Sequence, residues 1–299
     1  MLKVENVTKY YGDLKAVDDL SFEVEDGCIF GLLGLNGAGK TTTFRMIMGL
    51  IDDYTGNITL DGKKIDYSMT DKIGFLTEER SLLTKMTVIE QVKFYAILKN
   101  MKEEDIVKKL DYYLDKFGIS EYKYKKIKEL SKGNQQKIQF ITSIIHEPKL
   151  LILDEPFSGL DPINVELFKK EILELKEKGT SIIFSSHRME HVELFCEKLV
   201  ILVKGKTVLK GYLENIKKEY KKKDVYIIGS VSKEDLGKIE GVVKVRKENN
   251  NYIVTISDEK YIANLFNYIK KCDNITKFSV EEPSLNEIFI EKVGNAYDK

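Results

Sequence analysis

Three short runs of almost unbroken apolar residues, 29–33 (IFGLL), 150–153 (LLIL) and 182–184 (IIF), constrain this chain more than any other feature. A strand that is apolar at every position is buried on both faces, the pattern of a parallel sheet covered by helices. Each run stops abruptly at polar residues: the first at GLNGAGKTT (34–42), the second at Asp154 and Glu155, the third at Ser185, Ser186 and His187. Open α/β sheets bind ligands beyond the carboxyl ends of their strands, so these endings predict one shared site.

The first ending matches G-x-x-x-x-G-K-[ST] over residues 34–41, between a buried strand and the helical pattern of Phe44, Ile47, Met48 and Leu50. Consecutive backbone N–H groups of Asn36, Gly37, Ala38 and Gly39 can curl around phosphate oxygens. Lys40 adds a charge for the terminal phosphates, and the Thr41 hydroxyl can ligate Mg²⁺. Thr42 follows in the first helical turn, whose N-terminus is itself partly positive. At the second ending, Asp154 is placed to hold Mg²⁺ through water, and Glu155 to orient or deprotonate an attacking water. Phosphoryl transfer needs mainly positioning and charge stabilisation, which a metal and one carboxylate can supply. At the third ending His187, Glu190 and His191 formally match an inverted zinc-protease motif. That motif needs both histidines on one helix, whereas His187 closes a strand; the favoured reading sets His187 beside the terminal phosphate and leaves His191 a helix residue. His146, near a helix end before Pro148, is read as structural.

Between the first two runs the chain reads helical. Thr87 with Glu90 makes a capping box ahead of Val88, Ile89, Val92, Tyr95 and Leu98. Ile106, Leu110, Tyr113, Leu114 and Phe117 follow at helical spacing, with Gly118 as a stop. Residues 79–145 are therefore expected to form a helical subdomain inserted in a sheet domain spanning 1–213. A lysine-rich stretch, 214–224, reads as a linker or a solvated helix face. Residues 225–299 read as a small α+β domain, with strands at 225–231, 242–245 and 252–256, a turn at ENNN (248–251), and one helix marked by Ile262, Leu265, Phe266, Ile269 and Cys272.

Composition excludes several classes. Charged residues are 32% of the chain but the formal net charge is zero, which argues against a nucleic-acid binder held by a broad basic field. The cysteines, Cys28, Cys196 and Cys272, are widely spaced and form neither a disulfide framework nor a metal-site pattern, so a reducing cytoplasm is expected. The first residues, MLKVENVTKYYG, lack the apolar core of a signal peptide, and no apolar run approaches membrane-spanning length. A membrane role is expected to come through a partner.

The joint pattern resembles the ATP-binding subunit of an ABC transporter. GLNGAGKTT looks like the family's Walker A loop, LLILDEP (150–156) Walker B, SGLD (158–161) the D-loop, and His187 the switch histidine. LSKGNQQK (130–137) looks like a variant of the LSGGQ signature, and Tyr11 matches the aromatic that stacks on adenine. The resemblance covers residues 1 to about 210. It implies an α/β P-loop NTPase core with the inserted helical subdomain, ATP and Mg²⁺ as cofactors, and Glu155 and His187 as the catalytic pair. It also implies a head-to-tail dimer in which Ser131 and Gly133 meet the ATP held by the other subunit. Physically, a serine, a glycine backbone and a helix N-terminus make an anion-binding end suited to a terminal phosphate.

Two departures stand out: Lys132 and Asn134 replace the signature's first glycine and its glutamine, and Glu78 stands where the family's Q-loop glutamine aligns. A glutamate there could join Thr41 and Asp154 as a Mg²⁺ ligand. The ending EEPSLNEIFIEKVG (281–294) resembles an exporter subfamily whose members move drugs, peptide antibiotics, polysaccharides or sodium and carry a similar small C-terminal domain. The expected function is ATP hydrolysis powering export through a separate permease docked near the helical subdomain, by a cytoplasmic homodimer held at the inner membrane face without nucleic acid. Two alternatives are weighed: a soluble ABC-type ATPase acting on ribosomes or DNA, disfavoured by one nucleotide domain and a compact insertion, and a non-hydrolysing ATP-gated module, disfavoured by intact Glu155 and His187.

Overall fold

The computed structural model describes residues 1–79, 81–249 and 251–297. Its first unit, Met1–Lys210, begins with β1 (Leu2–Tyr11) and β2 (Leu14–Val24), then β3 (Ile29–Gly34), which leads into helix α1 (Lys40–Ile47). Strands β4 (Thr55–Leu60), β5 (Lys63–Lys64) and β6 (Ile73–Leu76) precede the helical insertion of α2 (Val88–Leu98), α3 (Glu103–Lys116) and α4 (Lys132–Ile144). The chain returns through β7 (Leu150–Asp154), α5 (Pro162–Glu177), β8 (Ser181–Ser185), α6 (Met189–Phe195), β9 (Lys198–Val203) and β10 (Lys206–Tyr212).

The three apolar runs become β3, β7 and β8, and they lie together. The ten-stranded sheet has the order β5-β4-β1-β2-β10-β9-β3-β8-β7-β6, and from β9 to β6 every pairing is parallel. All residues of β3, β7 and β8 are buried, as their unbroken apolarity requires. The other edge is antiparallel, β1 pairing with both β2 and β4. One core joins the two parts: Phe22 of β2 stacks on Phe30 of β3 at 4.8 Å, and Leu32, Phe44, Ile152 and Ile183 are fully buried around them. Each such side chain contributes roughly 1.5–3 kcal/mol relative to exposure.

In the insertion, the capping box of Thr87 and Glu90 starts α2. Val88 and Val92 are buried, but Leu98 is 60% exposed; the inward stripe runs through Ala96 and Gln91 instead. All five residues expected to mark the next helix are buried, and Gly118 at φ +63° follows its end. Ser131 caps α4 by accepting from the Asn134 N–H. No helix among the described residues is long and apolar enough to cross a membrane.

The second unit, Gly211–Lys299, contains α7 (Leu213–Glu219), β11 (Lys223–Ile228), α8 (Lys233–Lys238), β12 (Val242–Glu248), β13 (Asn251–Ile256), α9 (Ile262–Ile269), β14 (Lys277–Glu281) and α10 (Leu285–Tyr297). Its antiparallel sheet has the order β12-β13-β11-β14 and shares a core with Leu236, Leu265 and Ile269 from α8 and α9. Of the two readings for 214–224, linker or solvated helix face, the structure shows the second over much of the stretch: α7 buries Leu213 and Ile216 and leaves its other face solvated. Phe266 is 41% exposed and α9 ends before Cys272, so the apolar stripe is narrower than expected. Of the expected ENNN turn, Asn250 lies outside the described residues.

Candidate functional site

Glycines dictate the path between β3 and α1. Gly39 sits at φ +104°, and a Cβ there would lie 2.6 Å from the Ala16 carbonyl oxygen of β2. A Cβ on Gly34 would meet the Leu202 carbonyl oxygen of β9 at 2.5 Å. The loop is pressed against two strands, and only glycine fits at those contacts. Gly37, at φ +77°, has open space around it instead, leaving backbone accessible. The Lys40 ammonium folds back across this loop, donating to the carbonyls of Gly34 at 2.7 Å and Leu35 at 3.3 Å. Burial lowers its pKa, opposed by the carboxylates of Asp154, Glu155 and Glu78.

A cavity of about 530 Å³ opens over the loop, lined by Asn36, Gly37, Ala38, Gly39, Lys40, Thr41 and Thr42. Glu78, from the segment after β6, Asp154, from the end of β7, and His187, from the segment after β8, line the same cavity. Three neighbouring strands thus deliver their polar endings to one place, as parallel topology requires. Tyr11 also lines the cavity at 45% exposure, with the Lys9 ammonium 4.9 Å from its ring centroid.

Glu155 does not line the cavity; it is held just behind. It adopts φ +50°, its N–H donates to the Ser185 carbonyl at 3.0 Å, and its carboxylate accepts from the Ser186 hydroxyl at 3.2 Å and from the His187 N–H. Burial raises the pKa of both Asp154 and Glu155; Lys40 opposes the shift at Asp154 and His187 at Glu155. The oxygen donors of Thr41, Glu78 and Asp154 suit a hard cation such as Mg²⁺. Among the described residues no three His, Cys, Asp or Glu side chains cluster as a metal cage, so a metal here would need hydroxyl, water or phosphate oxygens as well. His187 precedes α6 whereas His191 lies within it, edge-on to Phe157 at 4.7 Å, so the two histidines do not share a helix.

Ser131 and Gly133 are not among the described residues lining this cavity. Ser131 is exposed at the start of α4, and a Cβ on Gly133 would meet nothing within 4 Å. Sequence reasoning missed Lys15, Ala16 and Lys204, which line the cavity; only nearness to Tyr11 in the β1–β2 hairpin could have signalled the first two. It also missed two buried glutamines of α4. Gln136 donates to the Pro156 carbonyl at 3.2 Å, and Gln139 to the Thr77 hydroxyl at 2.9 Å, tying α4 to the segments that carry Glu155 and Glu78.

A glycine loop pressed against β2 and β9, with its lysine facing carboxylates from two further strand ends, defines a P-loop nucleotide-binding domain. Residues 17–158 match the family described as ABC transporter, and residues 211–293 match the C-terminal domain of DrrA1-3-like ATP-binding proteins. YhaQ of Bacillus subtilis, an uncharacterized ABC transporter ATP-binding protein, is 49% identical over 100% of both chains. The lipopolysaccharide export system ATP-binding protein LptB of Haemophilus influenzae is 34% identical over 76% of this chain and 97% of its own. The structure of cbiO1 from Clostridium perfringens, part of the ABC transporter complex cbiONQ, superposes with a TM-score of 0.64 at 31% identity, covering 73% of this chain and 90% of that one. The chain belongs to the family of ABC transporter ATP-binding proteins, which bind ATP.

Proposed function

We propose that this protein binds and hydrolyses ATP to power export through a separate transmembrane permease, working as a head-to-tail homodimer. The observation that carries the reading is the split of the site. Lys40, Asp154 and His187 line one cavity, while the exposed Ser131 and the half-buried Gly133 stand outside it at the N-terminal end of α4. Such an end is completed by a phosphate that its own subunit does not hold. Ser131 and Gly133 then meet the terminal phosphate bound by a second copy.

When bound, ATP supplies the phosphoryl group and Mg²⁺ neutralises its charge. Thr41, Asp154 and Glu78 would hold the metal, the loop N–H groups and Lys40 would hold the phosphates, and Tyr11 would stack on the base. Glu155, fixed by Ser186 and His187, orients a water and takes its proton.

Coupling to a permease rests on a second hollow of about 470 Å³, where the end of α1 meets α2 and α4. Leu50, Tyr67 and Leu98 on its rim are 54%, 69% and 60% exposed. An apolar rim of this kind fits a short helix from a membrane partner. The similarity to LptB, a component of an export system, and to cbiO1, a subunit of a transporter complex, supports that assignment. The protein would then sit in the cytoplasm against the membrane's inner face.

The test is the mass in solution of Glu155→Gln with and without ATP, beside wild-type Mg-ATPase activity. A monomer that becomes a dimer with ATP, with hydrolysis lost, is the expected result. A Glu155→Gln protein that stays monomeric while saturated with ATP rules out the shared site.

A further inference from the structure

Beside the glutamine bonds of α4, an internal charge cluster fastens the helical insertion to the first unit's sheet domain. Lys116, the last residue of α3, is ion-paired with Glu171 and, at 2.6 Å, with Glu174, both on α5. Glu171 is only 1% exposed. Beside the pair, Phe140 of α4 stacks on Phe168 of α5 at 4.5 Å, and the Phe117 ring stands edge-on to both at 5.9 and 5.6 Å. The Lys137 ammonium of α4 closes the block by donating to the Phe117 carbonyl at 2.9 Å. These contacts join α3, α4 and α5 into one body.

The ends of those helices give the block its meaning. Helix α4 begins at Ser131. Helix α5 begins at Asp161, whose carboxylate accepts from the Asn164 N–H at 2.9 Å, directly after the turn that follows Glu155. The turn that must reach the other subunit and the segment that carries the base are therefore set by one rigid joint. An ion pair with one buried partner is a poor source of net stability, since apolar residues of the same volume do as well; what it can supply here is the fixed geometry of the joint. Geometry is the property a signature turn needs.

We propose that Lys116, through Glu171 and Glu174, is a positioning residue for ATP hydrolysis: it holds α3 on α5, and with α3 the helix α4 that Lys137 ties to the Phe117 carbonyl, so that Ser131 and Gly133 arrive in register with the other subunit's phosphate. This rests on the head-to-tail reading above. Lys116 touches neither nucleotide nor reacting atoms, so its loss should spare nucleotide binding and impair assembly.

The experiment uses the full chain in the Glu155→Gln background. Affinity for trinitrophenyl-ATP is measured on dilute monomer, and ATP-driven dimerisation by mass in solution against protein concentration. Lys116→Met is expected to raise the concentration for half-dimerisation about tenfold, the size of coupling between neighbouring charged groups, with nucleotide affinity within about twofold. Lys116→Arg, which keeps the charge, is expected to restore dimerisation. In the wild-type background the same Lys116→Met chain should lose turnover with little change in KM. Should Lys116→Met not melt cooperatively, Lys116→Gln with Glu171→Gln removes the pair without stranding a buried charge and is read the same way. If the Glu155→Gln parent dimerises and the variants dimerise equally well, the positioning role is overturned alone. If the parent itself stays monomeric with ATP bound, the head-to-tail reading falls and takes this proposal with it.

Discussion

His187 turns its backbone N–H onto the Glu155 carboxylate and holds its ring Nε2 3.7 Å from the same oxygen, Oε1. The main chain fixes the base, and the ring is left to face the cavity. Replacing His187 by alanine keeps the N–H and removes only the ring, whereas Glu155→Gln keeps the shape and removes the base. We expect phosphate release at saturating Mg-ATP to fall about a hundredfold for His187→Ala and about a thousandfold for Glu155→Gln. Equal, small losses in both would show that neither residue takes part in the chemical step.

Burial raises the carboxyl groups of Asp154 and Glu155 above their ordinary 3.8 and 4.5. Hydrolysis needs both as carboxylates, so activity should fall on acidification with a midpoint above 4.5. The sign for stability is opposite. The folded chain binds these protons more tightly than the unfolded one, so their contribution fades as pH rises through the raised values. Near neutrality each is a buried, penalised charge. Asp154→Asn is therefore expected to unfold at higher temperature at pH 7, by about 1 kcal/mol, while losing hydrolysis. Calorimetry of the two chains, with the pH–rate profile of the parent, checks both signs.

Gly39 carries a backbone demand that can be tested without assaying turnover. It lies at φ +104°, and an added methyl carbon would fall 2.6 Å from the Ala16 carbonyl oxygen, so Gly39→Ala must displace either the loop or β2. We expect a loss of about 2 kcal/mol in urea unfolding, and nucleotide affinity reduced at least about tenfold. Normal affinity in a destabilised chain would mean that β2 yields and the cradle survives.

What the sequence made legible follows from burial. Strands covered on both faces are written as unbroken apolar runs, so β3, β7 and β8 and their polar endings could be read directly. The antiparallel edge could not. Strands β1 and β2 bury Val4, Val7, Leu20 and Phe22 among exposed residues and shift register repeatedly, so their periodicity is broken, and the Lys15–Ala16 wall of the cavity went unseen with them. Helix α7 was legible only as one of two readings, linker or solvated helix face, because only Leu213 and Ile216 of its seven residues are buried. Strand β14 has no fully buried position at all. The polar joints of α4, Gln136 and Gln139, look like surface residues until their carbonyl partners, distant in sequence, are known.

His146 places a stability signal in the acid range. Burial, with Lys99 nearby, lowers its pKa from 6.5 to about 4, and its Nε2 meets the Ile73 carbonyl at 3.3 Å. The folded protein keeps the ring neutral while the unfolded chain protonates it near 6.5, so stability is lost as pH falls from about 6.5 towards 4. The full loss is roughly 3 kcal/mol. His146→Gln has no such proton to take up. Urea unfolding of both chains at pH 7 and pH 5 should show the gap between them moving in favour of the variant at pH 5, and an unchanged gap would place the ring in water.

In the second unit, Arg246 bridges two acids from different elements, Asp224 Oδ2 of β11 at 2.8 Å and Glu287 Oε1 of α10 at 2.6 Å, while the Thr255 hydroxyl donates to Asp224 Oδ1 at 2.6 Å. Burial raises the Asp224 carboxyl; at Glu287 burial pushes the same way, but the hydrogen bonds from Arg246, Asp224 and the Ser284 N–H, with the Arg246 charge, together outweigh it and the carboxyl lies low. Arg246→Met leaves two acids facing each other with the cation gone. Because the guanidinium is partly exposed, the cost should fall below that of a fully buried pair, at about 2 kcal/mol. It should also shrink on acidification, since protonating either carboxyl removes the repulsion. Amide hydrogen exchange localises the effect: protection of β11 should drop in Arg246→Met at pH 7 and recover partly at pH 5, with α1 and β3 unaffected. Loss of protection in β3 as well would show that the network supports the whole chain instead of its own sheet.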